Sequence, residues 1–177
     1  ADPWEKQVRS VAGYGFTRGE DALLCTGTLV NNTAEDKTPY FLTAEHCVQS
    51  ESEARSMVFY WNYQNETCRE PGSPESGRRT DDSPLSQTSS GAVLRARYGN
   101  VHSNNTISGK PDLTLVEIDD QIPPSYELYF SGWNRQDKAP QEGVTIHHPN
   151  GDGKRISFDR DPSTITGYLE SNRGATH

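Results

Sequence analysis

A chain of 177 residues is long enough for one large domain or two small ones, but only 31% of its residues are hydrophobic. Its formal net charge of −8 argues against binding to a phosphate backbone, which needs a basic surface, so we expect no nucleic-acid partner. No apolar stretch approaches the roughly 20 residues that span a bilayer, so we expect no membrane partner either.

The sequence predicts many short strands, because 15 glycines and 11 prolines favour turns over long helices. Alternating and β-branched runs predict strands at residues 8–12, 22–30, 39–43, 56–63, 91–98, 112–118, 128–133, 143–148, 155–158 and 163–169. Gly13-Tyr14-Gly15 is predicted to end the first strand, residues 69–90 to form a long loop, and only residues 44–53 to allow a helix longer than two turns. This pattern indicates an all-β fold, either a barrel or a sandwich.

The three cysteines form an odd set. Cys25 and Cys47 flank a predicted hairpin and could form a disulfide, which leaves Cys68 with a partner outside the chain or with none. A disulfide would indicate an oxidising compartment, so we expect a secreted or periplasmic protein. Three reduced cysteines in a cytosolic protein are the alternative.

His46 and Asp112 form the candidate catalytic pair. His46 lies just past the end of a predicted strand, within Thr43-Ala44-Glu45-His46-Cys47, and Asp112 opens another apolar strand, where a carboxylate needs a partner. A serine protease needs an imidazole that accepts the hydroxyl proton and a carboxylate that fixes its tautomer. The alternative is that Asp112 merely terminates a strand and His46 is an ordinary loop histidine. No Gly-x-Ser-Gly occurs in the 177 residues, so they lack the expected nucleophile.

Several segments resemble the lysyl endopeptidase group of trypsin-like serine proteases, which bacteria secrete. The resemblance spans nearly the whole chain, and the runs Tyr-Trp-Asn-Tyr-Gln-Asn and Ile-His-His-Pro-Asn are specific to this group. The segments that carry it are residues 25–33, 40–47, 60–69, 86–88, 112–115, 132–135, 146–150 and 154–157.

The resemblance implies a fold of two antiparallel β-barrels with the active site between them. Residues 1–121 would form the amino-terminal barrel and residues 122–177 only the first part of the carboxy-terminal barrel. His46 and Asp112 match the catalytic histidine and aspartate of the group. Tyr168 stands where the group has a tryptophan that helps to shape the lysine pocket, and this departure argues against a strict lysine preference.

The resemblance also assigns the cysteines. Cys25 and Cys47 match the disulfide beside the catalytic histidine, and Cys68 matches a cysteine whose partner lies upstream of Ala1. The catalytic serine belongs to a later segment of the group, so we expect it outside this chain.

The leading hypothesis is therefore a secreted serine endopeptidase, or its larger chain, that hydrolyses peptide bonds after Lys or Arg. Its partners would be protein or peptide substrates and a second chain or segment that completes the carboxy-terminal barrel, because a barrel cut after residues 163–177 would leave unpaired strand edges. The alternatives are an inactive binding protein with a protease fold or a truncated fragment.

The sequence predicts no cofactor and no metal site. In particular, His147 and His148 are neighbours on a predicted strand, so they face opposite sides and cannot share an ion.

Overall fold

The computed structural model describes residues 3–80, 83, 85–99, 112–136 and 138–164, and this part of the chain is dominated by short strands. The two α-helices are α1 (Glu5–Val8) and α2 (Glu51–Arg55), and single 3-10 turns lie at Pro124–Tyr126 and Pro149–Gly151. The strands are β1 (Val11–Arg18), β2 (Asp21–Val30), β3 (Tyr40–Thr43), β4 (Val58–Trp61), β5 (Thr88–Ser90), β6 (Ala92–Tyr98), β7 (Leu113–Ile118), β8 (Gly143–His147) and β9 (Arg155–Asp159). The prediction of an all-β fold is confirmed.

Seven strands form one antiparallel sheet in the order β5-β4-β1-β2-β3-β7-β6. The strands at the two edges, β5 and β6, are separated in sequence only by Gly91, so the sheet must curl until its edges meet. Gly91 donates its N–H to the Met57 carbonyl (2.8 Å) next to one edge and accepts from the Asp119 N–H (3.0 Å) next to the other. Its φ of +70° is one that glycine adopts without strain. The sheet therefore curls into a half-barrel, called the barrel below, in which β5 and β6 are joined through Gly91 but are not hydrogen-bonded neighbours in the sheet.

The interior of the curled sheet is an aromatic cluster. Tyr14, Phe41, Phe59 and Trp61 are almost fully buried, and Phe41 meets Phe59 edge-on at 4.9 Å between ring centroids. The Tyr14 hydroxyl lies 2.7 Å from the Thr43 Oγ1 atom, so its polar end is satisfied inside the core. This bond ties the carboxyl end of β3, just before His46, to the barrel interior.

A second sheet consists of the hairpin β8–β9, whose connection includes Asn150 and Gly151 with positive φ values of 52° and 70°. The connection is joined to the barrel region by several hydrogen bonds. The His148 N–H donates to the Thr26 hydroxyl (3.0 Å), and the buried Lys154 ammonium donates to the Val8 carbonyl (2.7 Å). The hairpin is thus anchored to the barrel through its turn.

The structure differs from the predicted elements at several places. The predicted loop at residues 69–90 ends in strand β5 (Thr88–Ser90). The first strand begins at Val11 and not at residue 8, and it does not end at Gly13-Tyr14-Gly15 but continues to Arg18. Gly13 lies against the His148 ring, where a Cβ atom would be 3.1 Å from Cγ, so glycine allows close packing there and does not mark a turn. Residues 128–133 contribute only one bridge, between Val30 and Ser131, instead of a strand. The predicted helix at residues 44–53 is a turn followed by α2.

Two other predictions stay open. The predicted strand at residues 163–169 lies mostly outside the described residues, and the division into barrels at residue 121 stays a prediction. Within the described ranges, no helix has the length and apolar character that crossing a membrane requires.

Candidate active site

The topology of the sheet brings His46 and Asp112 together. β3 and β7 are antiparallel neighbours, and Thr43, the last residue of β3, pairs with Thr114 near the start of β7. Because the end of one strand lies beside the beginning of the other, the residues just beyond these two ends are neighbours in space. His46 follows β3 and Asp112 immediately precedes β7, so residues 66 positions apart in sequence meet at one end of the barrel.

Two hydrogen bonds join the Asp112 carboxylate to His46. Asp112 Oδ2 lies 2.6 Å from the His46 Nδ1 atom, and Oδ1 accepts from the His46 backbone N–H at 2.9 Å. An ionised carboxylate can only accept, so Nδ1 carries the imidazole proton and the lone pair is on Nε2. The arrangement fixes the imidazole tautomer that can take a proton from a hydroxyl group.

The electrostatics of Asp112 favour its ionised form. Burial alone would raise the pKa of the Asp112 carboxyl, but the hydrogen bonds from the His46 ring and backbone outweigh it and hold that pKa below its ordinary value. About half of the His46 side chain and about a third of the Asp112 side chain are exposed, at 51% and 32%. Asp112 is therefore ionised, and the pair is oriented and open to a reactant.

The Cys25–Cys47 disulfide joins β2 to the turn that carries His46, as predicted. A His46 ring nitrogen lies within 4.8 Å of both sulfurs, but the sulfurs are bonded to each other and are not thiolate ligands for a metal. Cys68 is exposed and forms no disulfide within the described residues.

His148 occupies a different environment from His46. It is buried, its ring stacks on Tyr63 with 5.8 Å between centroids, and its Nδ1–H donates to the Asp152 carbonyl at 2.9 Å. Burial and the nearby Lys154 ammonium lower the pKa of His148 to about 4, so this imidazole is neutral at pH 7. His148 therefore packs between the hairpin and the barrel.

Two residues that contact the segment of residues 44–49, called the His46 turn below, were not predicted from the sequence. Arg18, at the end of β1, and Glu53, in α2, form an ion pair with 2.6 Å between Arg18 Nε and Glu53 Oε1. No motif or spacing signals this pair, because the contact depends on how the sheet curls. Tyr168, the residue predicted to line the substrate pocket, lies outside the described residues.

Comparisons with known proteins give three findings. The crystal structure of the scabies mite inactivated protease paralogue S-I1 is similar with a TM-score of 0.49 and 14% identity, over 86% of this chain and 60% of that chain. A lysyl endopeptidase of Pseudomonas aeruginosa is 29% identical over 157 residues, which are 87% of this chain. The matched part is 30% of that relative, so the chain spans less than a third of its length. A family model described as "Lysyl endopeptidase, C-terminal domain" matches residues 1–177.

Proposed function

Because the chain belongs to the lysyl endopeptidase C-terminal domain family, we propose that it carries the general base and the supporting carboxylate of a serine endopeptidase. The observation that carries the proposal is the contact of 2.6 Å between His46 Nδ1 and Asp112 Oδ2 at this end of the barrel. Family membership alone supports the protease class, whereas this contact supports the roles proposed here for two particular side chains.

In the proposed reaction, a serine hydroxyl attacks the carbonyl carbon of the scissile peptide bond, and His46 Nε2 accepts the hydroxyl proton. Asp112 stabilises the imidazolium that forms and keeps Nδ1 directed towards itself. His46 then gives the proton to the leaving amine, and the acyl group stays on the serine. A water molecule gives a proton to His46 and attacks the acyl carbon. His46 then returns that proton to the serine oxygen as the acyl–oxygen bond breaks, which releases the carboxylic acid product and restores the serine hydroxyl.

The serine of this proposal is supplied by polypeptide outside these 177 residues, which contain no Gly-x-Ser-Gly. A second chain or a further segment of the same protein would therefore complete the site. We propose a preference for Lys or Arg before the scissile bond, with Tyr168 lining the pocket for that side chain. The Cys25–Cys47 disulfide supports a secreted or periplasmic location, because disulfides persist in oxidising compartments.

The test is to treat the full-length protein with an organophosphorus active-site probe and, separately, with peptides that differ only in the residue before one peptide bond. We expect covalent labelling of a single serine and cleavage after Lys or Arg, with both reactions lost in heat-denatured protein. A folded protein that is neither labelled nor able to cleave any peptide would contradict the proposal and favour a non-catalytic binding protein. Labelling together with cleavage after other residues would contradict only the basic specificity.

A further inference from the structure

The backbone of His46 is held from both sides by side chains of other elements. Its N–H donates to Asp112 Oδ1 at 2.9 Å. Its carbonyl accepts from the Arg18 guanidinium at 3.2 Å, and the same Nη2 atom donates to the Cys47 carbonyl at 2.9 Å. Asp112 and Arg18 therefore fix the orientation of the peptide groups on either side of the imidazole.

Arg18 is itself held in place by Glu53. Arg18 Nε and Nη2 donate to the two carboxylate oxygens of Glu53 at 2.6 and 3.2 Å. This fork geometry fixes the guanidinium plane, which an ammonium group could not match. Glu53 also accepts from the Gln49 N–H at 2.6 Å, so one carboxylate ties both Arg18 and the end of the His46 turn.

The charges of this pair are maintained although Glu53 is only 7% exposed. Burial would raise the pKa of Glu53, but the hydrogen bonds from Arg18 and the Gln49 N–H outweigh it and hold that pKa below its ordinary value. The Glu53 N–H donates to the Ser50 hydroxyl, which caps α2 and places the carboxylate at the start of that helix. Arg18 and Glu53 are therefore both ionised, and hydrogen bonds hold the Glu53 carboxylate in a fixed position.

The rest of the turn is held in the same way. The Val48 carbonyl accepts from the Thr114 hydroxyl at 2.8 Å, and the Gln49 carbonyl accepts from Arg97 at 2.7 Å. The carbonyls of four consecutive residues, 46–49, thus accept from side chains of β1, β6 and β7. Among these donors only Arg18 contacts the carbonyl of His46.

We propose that Arg18, oriented by Glu53, is a positioning residue for His46. The proposal rests on the proposed function, in which His46 transfers the proton. Arg18 would act through the backbone, because it keeps the imidazole aligned with Asp112 while Nε2 meets the substrate and the serine. A shift of the base by about 1 Å can cost on the order of a hundredfold in rate.

The chain offers a matched control in Arg95 and Glu117. This ion pair also joins an arginine Nε to a glutamate oxygen, at 2.7 Å, and it lies between β6 and β7. The arginine side chains are similarly exposed, 37% for Arg18 and 47% for Arg95. Arg95→Gln therefore removes an ion pair of the same two residue types, with one hydrogen bond and a more exposed glutamate, that has no hydrogen bond to the His46 turn.

The experiment compares Arg18→Gln, Arg18→Lys, Glu53→Gln and Arg95→Gln in the full-length protein. We expect Arg18→Gln to lower kcat roughly ten- to a hundredfold with KM changed by less than about twofold, because it disturbs alignment and not substrate binding. Arg18→Lys should lose nearly as much, since lysine lacks the fork. Glu53→Gln should lose less, and Arg95→Gln should keep the kcat of the unmodified protein. An unchanged kcat in folded Arg18→Gln, or an equal loss in Arg95→Gln, would overturn the proposal.

A second readout does not require activity. The Nδ1–H of His46 gives a downfield proton resonance whose position reports the hydrogen bond to Asp112. We expect this signal to shift or broaden in Arg18→Gln and Glu53→Gln and to remain in Arg95→Gln. If the unmodified protein cleaves no peptide, the proposed function fails, and this resonance alone decides the positioning role: an unchanged signal in both variants overturns it. If Arg18→Gln does not fold, Glu53→Gln and Arg18→Lys decide by the same criteria.

Discussion

Two histidine-bearing turns in the described part of the chain place the same side chain in opposite environments. The His46 ring is half exposed and its Nδ1 atom faces the Asp112 carboxylate at 2.6 Å. The His148 ring is buried and its Nδ1–H meets only the Asp152 backbone carbonyl at 2.9 Å. A carboxylate stabilises a protonated imidazole, whereas burial and the nearby Lys154 ammonium disfavour it at His148. The hydrogen-bond partner and the exposure to solvent, more than the residue type, decide whether a histidine can take up a second ring proton.

The largest expected effect comes from making the same substitution at both histidines of the full-length protein. His46→Gln should lower kcat/KM on the order of 10⁶-fold, because it removes the proton acceptor, and should change stability by less than about 1 kcal/mol. His148→Gln should destabilise by roughly 1–3 kcal/mol and leave the activity of the folded fraction within a few-fold. Peptide hydrolysis and urea unfolding measure the two quantities. The comparison fails if His148→Gln abolishes activity without affecting stability.

Asp112→Asn tests the other half of the site. The amide has one acceptor oxygen and one NH2 donor in place of two acceptor oxygens, so His46 loses the partner that fixes its tautomer and stabilises its protonated form. We expect kcat to fall on the order of 10⁴-fold, less than for His46→Gln, while KM changes little. Steady-state kinetics checks this, and Asp152→Asn serves as the control in the other turn. A loss confined to KM would contradict the role given to Asp112.

The stability of the protein should depend on pH through His148. The folded pKa of about 4 lies below the ordinary value of 6.5, so the unfolded chain binds the proton first as the pH falls. The stability that neutral His148 contributes is present above pH 6.5 and is lost between pH 6.5 and 4, by roughly 3 kcal/mol in all. Lys154, whose pKa burial lowers from 10.5 to about 7, loses its contribution between pH 10.5 and 7, outside this window. Unfolding at several pH values measures the slope.

His148→Gln provides the control for this pH dependence, because glutamine does not titrate. The loss of stability between pH 6.5 and 4 should become much smaller in the variant. The charged groups near His148 include Lys154 and Asp152. The pKa of Asp152 is lowered, because hydrogen bonds from the backbone of Thr80 and Gly153 outweigh its burial, so it loses its contribution at lower pH. A variant with the same slope as the unmodified protein would exclude His148 as the cause.

The smallest effect is expected at Tyr63, whose ring stacks on His148. Tyr63→Leu removes the stacked pair but retains the Tyr63 carbonyl position that accepts from the Lys154 N–H. We expect a loss of about 1 kcal/mol in stability and no change in kcat. Urea unfolding detects this change. A change in kcat would mean that the two turns are coupled.

The fold class was predicted from the short apolar runs and the turn residues between them, whereas the His46–Asp112 pair was predicted from the Thr43–Cys47 motif and the resemblance to the lysyl endopeptidase group. The pair meets because each residue adjoins the end of a strand and those strands are neighbours in the sheet. Gly13 and Gly15 misled the prediction, since glycine marks turns but also allows close approach within a strand, as under the His148 ring. Arg18 and Glu53 could not be predicted, because their contact depends on the curl of the sheet.

Gly91 has a consequence for the whole barrel. This single residue links the two edge strands, β5 and β6. Because consecutive Cα atoms are about 3.8 Å apart, the end of β5 and the start of β6 cannot move far from each other. Strand twist can curl a sheet, but here the short covalent link between the edge strands also prevents the sheet from becoming flat. Lengthening the connection at Gly91 would release that restraint and separate the intrinsic curvature of the strands from the curvature imposed by a one-residue link.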